Sequence, residues 1–96
     1  MVLQESQLEK KLTSEVKKRG GRAFKFTSPG KRGVPDRLIL KPGGQALFVE
    51  MKAPGKPLEP LQVKRGSELR ALGFKVYKID SIDDIQKFIQ EEFSDI

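Results

Sequence analysis

Glu50-Met51-Lys52 closes an apolar run that starts at Ala46. Alternate residues of an extended strand share a face, so the Glu50 carboxylate and the Lys52 ammonium leave the chain together. Such a pair is an ordinary strand-end ion pair unless a further group joins it. Asp36, which follows Gly33-Val34-Pro35, is that group, because the segments carrying it and Glu50 are joined through the turn signature Pro42-Gly43-Gly44. With Gly43 at the centre of the turn, residues whose numbers sum to 86 face each other, and Asp36 lies opposite Glu50. A two-residue Gly-Gly turn shifts the register by one place, which a diagonal contact or a bulge still spans. Two adjacent carboxylates repel, and one is driven towards protonation unless a counter-charge intervenes. A divalent cation between them removes that penalty. Lys52 bridging both acids is the purely structural alternative.

Composition narrows the chemistry further. The 96 residues include no Cys, no His and no Trp. Thiol nucleophiles, imidazole bases, disulfides, zinc fingers and iron–sulfur clusters are therefore excluded. A metal held by this chain sits among oxygen ligands, which points to Mg²⁺ or Mn²⁺. The formal charge is +6, from 19 Lys and Arg against 13 Asp and Glu. Residues 81–96 hold five of those acids and one of the bases, so residues 1–80 keep eighteen bases against eight acids, a net +10. A positive body of this kind is the electrostatic footprint of phosphate binding. No hydrophobic run approaches the roughly 20 residues of a membrane span, and the polar first ten residues are unlike a signal peptide. The expectation is a soluble intracellular protein with no membrane partner.

The elements that must position these groups follow from periodicity. Residues 4–19 form an amphipathic helix on Leu8, Leu12 and Val16, stopped by Gly20-Gly21. At 100° per residue from Leu8, Leu12 falls at about +40°, Val16 at about +80° and Glu15 at about −20°. Glu15 thus flanks the apolar stripe, where it either snorkels to solvent or reaches the metal site, through a water. Strands are expected over residues 22–27, 37–41 and 46–52. A basic loop, Ser28-Pro29-Gly30-Lys31-Arg32-Gly33, and a second Gly/Pro loop at residues 53–57 flank the Asp36 and Glu50 segments. Pro60 opens a helix with Leu61, Leu69 and Leu72 as its core face, ended by Gly73; residues 74–79 form a fourth strand. Ser81 caps a last helix with the stripe Ile82, Ile85, Phe88, Ile89 and Phe93. The order α-β-β-β-α-β-α specifies one α/β domain over residues 1–96. Its core is a mixed four-stranded sheet flanked by helices, with a helical crossover to the last strand.

Gly33-Val34-Pro35-Asp36, then Glu50-Met51-Lys52, then Gln62 in the next helix resembles the PD-(D/E)xK nuclease superfamily. Residues 28–37, 48–61 and 72–80 are most similar to its VRR-NUC family, the virus-type replication and repair nucleases, and the chain is identified as a stand-alone, phage-type member. The resemblance implies a restriction-endonuclease-like fold. It assigns Asp36 and Glu50 as direct metal ligands, with the Met51 carbonyl as a further oxygen. Glu15 matches the helical acid of the superfamily, Lys52 the residue that orients or deprotonates the attacking water, and Gln62 the glutamine that orients Lys52 or water. The implied activity is Mg²⁺- or Mn²⁺-dependent hydrolysis of phosphodiester bonds by a structure-specific DNA endonuclease, a Holliday-junction resolvase acting as a homodimer. Branched or duplex DNA is the implied partner and the host cytoplasm the location of a phage-encoded protein. DNA contacts are expected from Lys31, Arg32 and Arg37, with Lys25, Lys56, Lys64 and Arg65 as further candidates. Two other readings are a non-catalytic nucleic-acid-binding module on the same fold, and a nuclease of flaps or single strands without junction preference. The apolar final helix is a candidate dimer interface only where its stripe is not engaged by the core.

Overall fold

The computed structural model describes residues 3–94. Its elements are α1 (Glu5–Lys18), β1 (Arg22–Lys25), β2 (Arg37–Lys41), β3 (Gln45–Met51), α2 (Pro60–Ala71), β4 (Val76–Ile79) and α3 (Ile82–Phe93). The strands form one sheet in the order β1-β2-β3-β4. The first three are an antiparallel meander, and β4 joins β3 in parallel through the α2 crossover. This is the mixed sheet and α-β-β-β-α-β-α order expected from the sequence.

Register follows from the turn. Arg37 pairs with Val49 and Lys41 with Gln45, so Gly43 is the centre of the β2–β3 hairpin. Gly43 and Gly44 both take φ values in the left-handed region, +91° and +83°, which side chains with a Cβ avoid. The odd-numbered residues Leu47, Val49 and Met51 of β3 therefore share a face with Ile39 and Ile79, and pack beneath Leu8, Leu12 and Val16 of α1 and Ile85, Phe88 and Phe93 of α3. Each such buried apolar side chain contributes about 1.5–3 kcal/mol. The stripe of α3 is thus engaged within its own chain. Ser81 Oγ accepts from the Asp84 amide at 3.0 Å, the expected cap. Glu92 of α3 is buried too, and Lys41 at 3.2 Å and Lys75 at 3.1 Å neutralise it while the Tyr77 hydroxyl donates to it.

The even-numbered face is covered differently. Gly66 is the buried residue of α2, and a Cβ placed there would stand 3.7 Å from Val76 Cγ1, so the helix lies close over the β4 side. The expected α2 core face is corrected accordingly. Leu61 and Leu69 are half-buried, and Leu72 is 75% exposed. A glycine at the contact lets the helix approach closely there, and the leucines of the same helix do not form its seat.

Candidate active site

The β2–β3 hairpin sets the site. Asp36 immediately precedes β2 and falls opposite Glu50 by continuation of the observed pairing. Its Oδ1 accepts the Met51 amide at 3.0 Å. Because the N–H and C=O of one residue leave an extended strand on the same side, the Met51 carbonyl is turned towards Asp36 as well. Lys52 continues the ladder with β4, its amide donating to the Ile79 carbonyl at 2.9 Å. Glu50 and Lys52 are 7% and 6% exposed, both unusually buried for charged residues. Among the described residues no ion pair within 4.0 Å engages Lys52.

Helix α1 adds two acids that periodicity did not single out. Carboxylate oxygens of Glu5, Glu9 and Asp36 lie within 4.8 Å of one another. The Arg37 guanidinium donates to Glu9 and, at 2.8 Å, to the Asp36 backbone carbonyl, and it stands 3.6 Å from Asp36 Oδ2. Burial lowers the Arg37 pKa, and the charges of Glu5 and Glu50 oppose that effect. Burial pushes the Glu50 carboxyl up to about 7; the Asp36 charge adds to this and Lys52 works against it. Asp36 is likewise raised, chiefly by burial. These are signs of an acidic site lacking positive charge. Four carboxylates, Glu5, Glu9, Asp36 and Glu50, face two cations, Arg37 and Lys52, a deficit of two charges. An all-oxygen donor set with that deficit fits a hard divalent cation.

The remaining expected residues separate into three groups. Glu15 is not brought to the cluster. Lys18, Arg19 and Lys11 hold its carboxylate and draw its pKa down to about 2. It lines a cavity of about 300 Å³ between α1 and α3 with Ile85 and Phe93. Counted from Leu8, Glu5 at about +60° falls within the stripe and Glu9 at about +100° just beyond Val16, on the side away from Glu15. The pair Glu5-x-x-x-Glu9 at helical spacing was the available signal. Gln62 is third in α2, where its Oε1 accepts the Glu59 amide at 2.8 Å, so that oxygen caps the helix instead of reaching Lys52. Arg37 is buried against acids and is not an exposed phosphate contact. Lys25, Lys31, Arg32, Lys56 and Lys64 are exposed. Arg65 is partly committed, its Nε donating to the Arg32 carbonyl at 2.8 Å and its guanidinium pairing with Glu68.

A groove of about 480 Å³ runs between α1 and β1 and ends on Glu9 and Arg37, lined by Lys10, Lys17 and Lys25. Positive charge therefore leads up to the acidic cluster along the helix as well as through the loop at residues 28–33.

A meander with a parallel fourth strand and helices on both faces is the layout of the restriction-endonuclease-like nucleases. No family model matches the chain. The protein described as "Putative nuclease p44", from Acyrthosiphon pisum secondary endosymbiont phage 1, is 51% identical over 82 residues, covering 85% of this chain and 88% of the relative. A solved structure described as a VRR_NUC domain superposes with a TM-score of 0.86 at 27% identity, over 93% of this chain and 97% of that one. The chain belongs to the VRR-NUC family, as a phage-type nuclease.

Proposed function

We propose that this nuclease is a Mg²⁺- or Mn²⁺-dependent, structure-specific DNA endonuclease that resolves four-way junctions as a homodimer. The observation that carries the reading is the acidic cluster at the end of the β2–β3 hairpin, four carboxylates against two cations, with Lys52 buried beside it. Asp36, Glu50 and the Met51 carbonyl are the groups that would hold the ion, with Glu5 and Glu9 completing the oxygen set directly or through water. The ion supplies Lewis acidity and offsets the charge of the phosphate.

The rest of the chemistry belongs to the chain. Lys52 donates a hydrogen bond to the attacking water and, staying cationic, offsets negative charge as it builds on the phosphorus oxygens. The water oxygen forms the new bond to phosphorus as one of its protons passes to solvent, and the bridging P–O bond breaks. The leaving oxygen takes up a proton from solvent to become a hydroxyl, while the other water proton stays with the new phosphate oxygen. Arg37 keeps Glu9 and Asp36 in place by donating to both residues. Burial of Glu50 and Lys52 limits bulk water at the reacting centre.

Labelled four-way, flap and linear duplexes incubated with Mg²⁺, Mn²⁺ or EDTA test this. Paired, near-symmetric nicks at the four-way junction are expected with either metal and none in EDTA. Equal cutting of the linear duplex would sink junction selectivity, and preferred cutting of flaps would move the substrate there. Lys52→Ala is expected to lower cleavage by roughly 10²-fold or more, the scale of one lost electrostatic stabiliser. Unchanged cleavage in Lys52→Ala would remove the site itself.

A further inference from the structure

We infer that Lys78 binds the substrate phosphate next to the scissile one, on the β4 side of the acidic cluster, and that Asp80 holds its ammonium in place until DNA arrives. This deepens the reading of the cluster as the place where a phosphodiester bond is cut, and rests on it. Register sets the position. Glu50 pairs with Lys78 in the parallel β3–β4 ladder, so both side chains leave the even-numbered face, on strands about 4.8 Å apart. Extension of the same pairing brings Asp80 beside Lys52. From β2 to β4 the order across the sheet is therefore Asp36, Glu50 and Lys78, two acids and then a base.

The Lys78 ammonium is open to a ligand as that of Lys52 is not. The Lys78 side chain is 33% exposed, against 6% for Lys52. Its partner among the described residues is Asp80 Oδ2, at 3.2 Å. The same oxygen accepts the Gly55 amide at 3.2 Å, from the loop that follows Lys52. The Asp80 amide in turn donates to Asp84 Oδ2 at 3.1 Å. Asp80 is thus fixed through its backbone and through Gly55, and the flexible four-carbon stem of Lys78 is the part free to move. A partly exposed lysine–carboxylate pair contributes little net stability, so Lys78 gives up Asp80 for a phosphate at small cost.

Direction supplies a second argument. The groove lined by Lys10, Lys17 and Lys25 reaches the cluster at Glu9 and Arg37, from the β1 side. A backbone that follows it across Asp36 and Glu50 leaves over β4, whose one base is Lys78. Without that base the departing phosphate would meet the Asp80 carboxylate unshielded. By holding Gly55, Asp80 also keeps the exposed Lys56 on this side. A phosphate that does not react is held equally in the ground state and the transition state. Lys78 therefore acts on binding and not on the rate of the bound complex.

Single-turnover cleavage of a labelled four-way junction in Mg²⁺, over a range of protein concentrations, separates binding from rate. Fluorescence anisotropy of the same DNA in EDTA reads binding alone. Lys78→Met keeps the stem and removes the charge. It is expected to raise the half-saturating concentration roughly tenfold, the scale of one charge-assisted hydrogen bond, and to weaken binding in EDTA alike. Its limiting rate should stay within about twofold of wild type, as when uniform binding is lost. Lys78→Arg retains the donor and is expected near wild type in both. Asp80→Asn keeps an oxygen for Gly55 and releases Lys78, so binding should tighten, and the gain should vanish when Lys78→Met is added. Lys87→Met controls for net charge on α3, where Lys87 pairs with Asp83, and should match wild type. Wild-type binding in Lys78→Met, a loss confined to its limiting rate, or an equal loss in Lys78→Arg or Lys87→Met would each overturn the inference. So would an Asp80→Asn gain that survives without Lys78. A wild type that cuts no DNA, with binding still weakened by Lys78→Met, would remove the cleavage reading and leave the phosphate contact standing.

Discussion

Under the metal-dependent reading proposed above, Glu50 is the residue at which a bound cation would change the protein most. In metal-free protein its carboxyl is pushed up to about 7, against 4.5 for an unperturbed glutamate. A group that holds its proton more tightly when folded stabilises the fold fully below its unfolded pKa, and that contribution is lost as pH rises through the folded value. Stability in EDTA should therefore fall between about pH 4.5 and pH 7, by about 3 kcal/mol at 1.36 kcal/mol per unit. Asp36 is shifted in the same direction. A cation replaces the proton, so in Mg²⁺ the fall is expected to shrink. Thermal unfolding across that range in EDTA and in Mg²⁺ measures it, and superimposable curves would contradict it. Glu50→Gln keeps the shape and removes the charge, so at neutral pH it should melt higher than wild type in EDTA and gain nothing from Mg²⁺. The acids of α1 divide in the cleavage assay. Glu15 is already matched by Lys18, Arg19 and Lys11, and Glu15→Ala is expected to cut at the wild-type rate. Glu9→Ala frees Arg37 from its partner and should cost roughly 10–100-fold, as losses of groups supporting a metal site do.

At the scale of elements, the hairpin and the loop before it place Asp36. Gly33 has φ +83°, and a Cβ there would stand 2.8 Å from Leu61 of α2. The G-V-P-D loop is thus seated against the first turn of the crossover helix, three residues before Asp36. Gly33→Ala meets both the backbone penalty and the clash. We expect it to lose about 1–3 kcal/mol in urea unfolding and to lower cleavage by displacing Asp36. Wild-type stability in this variant would show the loop to be loosely held. Much of this was legible in the sequence for a physical reason. The turn signature Pro42-Gly43-Gly44 narrows the centre to two neighbouring places, and with Gly43 at the centre, as the pairing has it, the period of two carries Asp36 opposite Glu50. The stripe of α1 was equally legible, but its two flanks were not distinguished. Which flank faces the site depends on where α3 packs, and α3 took the side of Glu15. The face of α2 was misread because the pattern weighs leucines, whereas the close approach is made at Gly66, which a hydrophobic period does not register.

For the molecule as a whole, the net +6 is an average over a strongly basic body, an acidic site and an acidic final helix. The body's charge is not uniformly available. On α1, Lys11 and Lys18 are drawn to Glu15. Lys10 and Lys17, seven residues apart, line the groove with Lys25 and make no ion pair among the described residues. If the backbone of the substrate follows that groove to Glu9 and Asp36, binding should weaken steeply with salt, each neutralised phosphate adding about 0.9 to the slope of log K against log salt. Replacing Lys10, Lys17 and Lys25 with alanine should then lower the slope by about 0.9 for each phosphate left without its lysine. The same replacement should raise KM and leave kcat nearly unchanged, since phosphate contacts position the duplex without touching the reacting bond. The control is Lys11→Ala with Lys18→Ala, which removes charge already balanced by Glu15 and should leave the slope where it was. Equal effects from the two sets would mean that only net charge matters. A fall confined to Lys10, Lys17 and Lys25 traces the strand along α1 towards the acidic cluster.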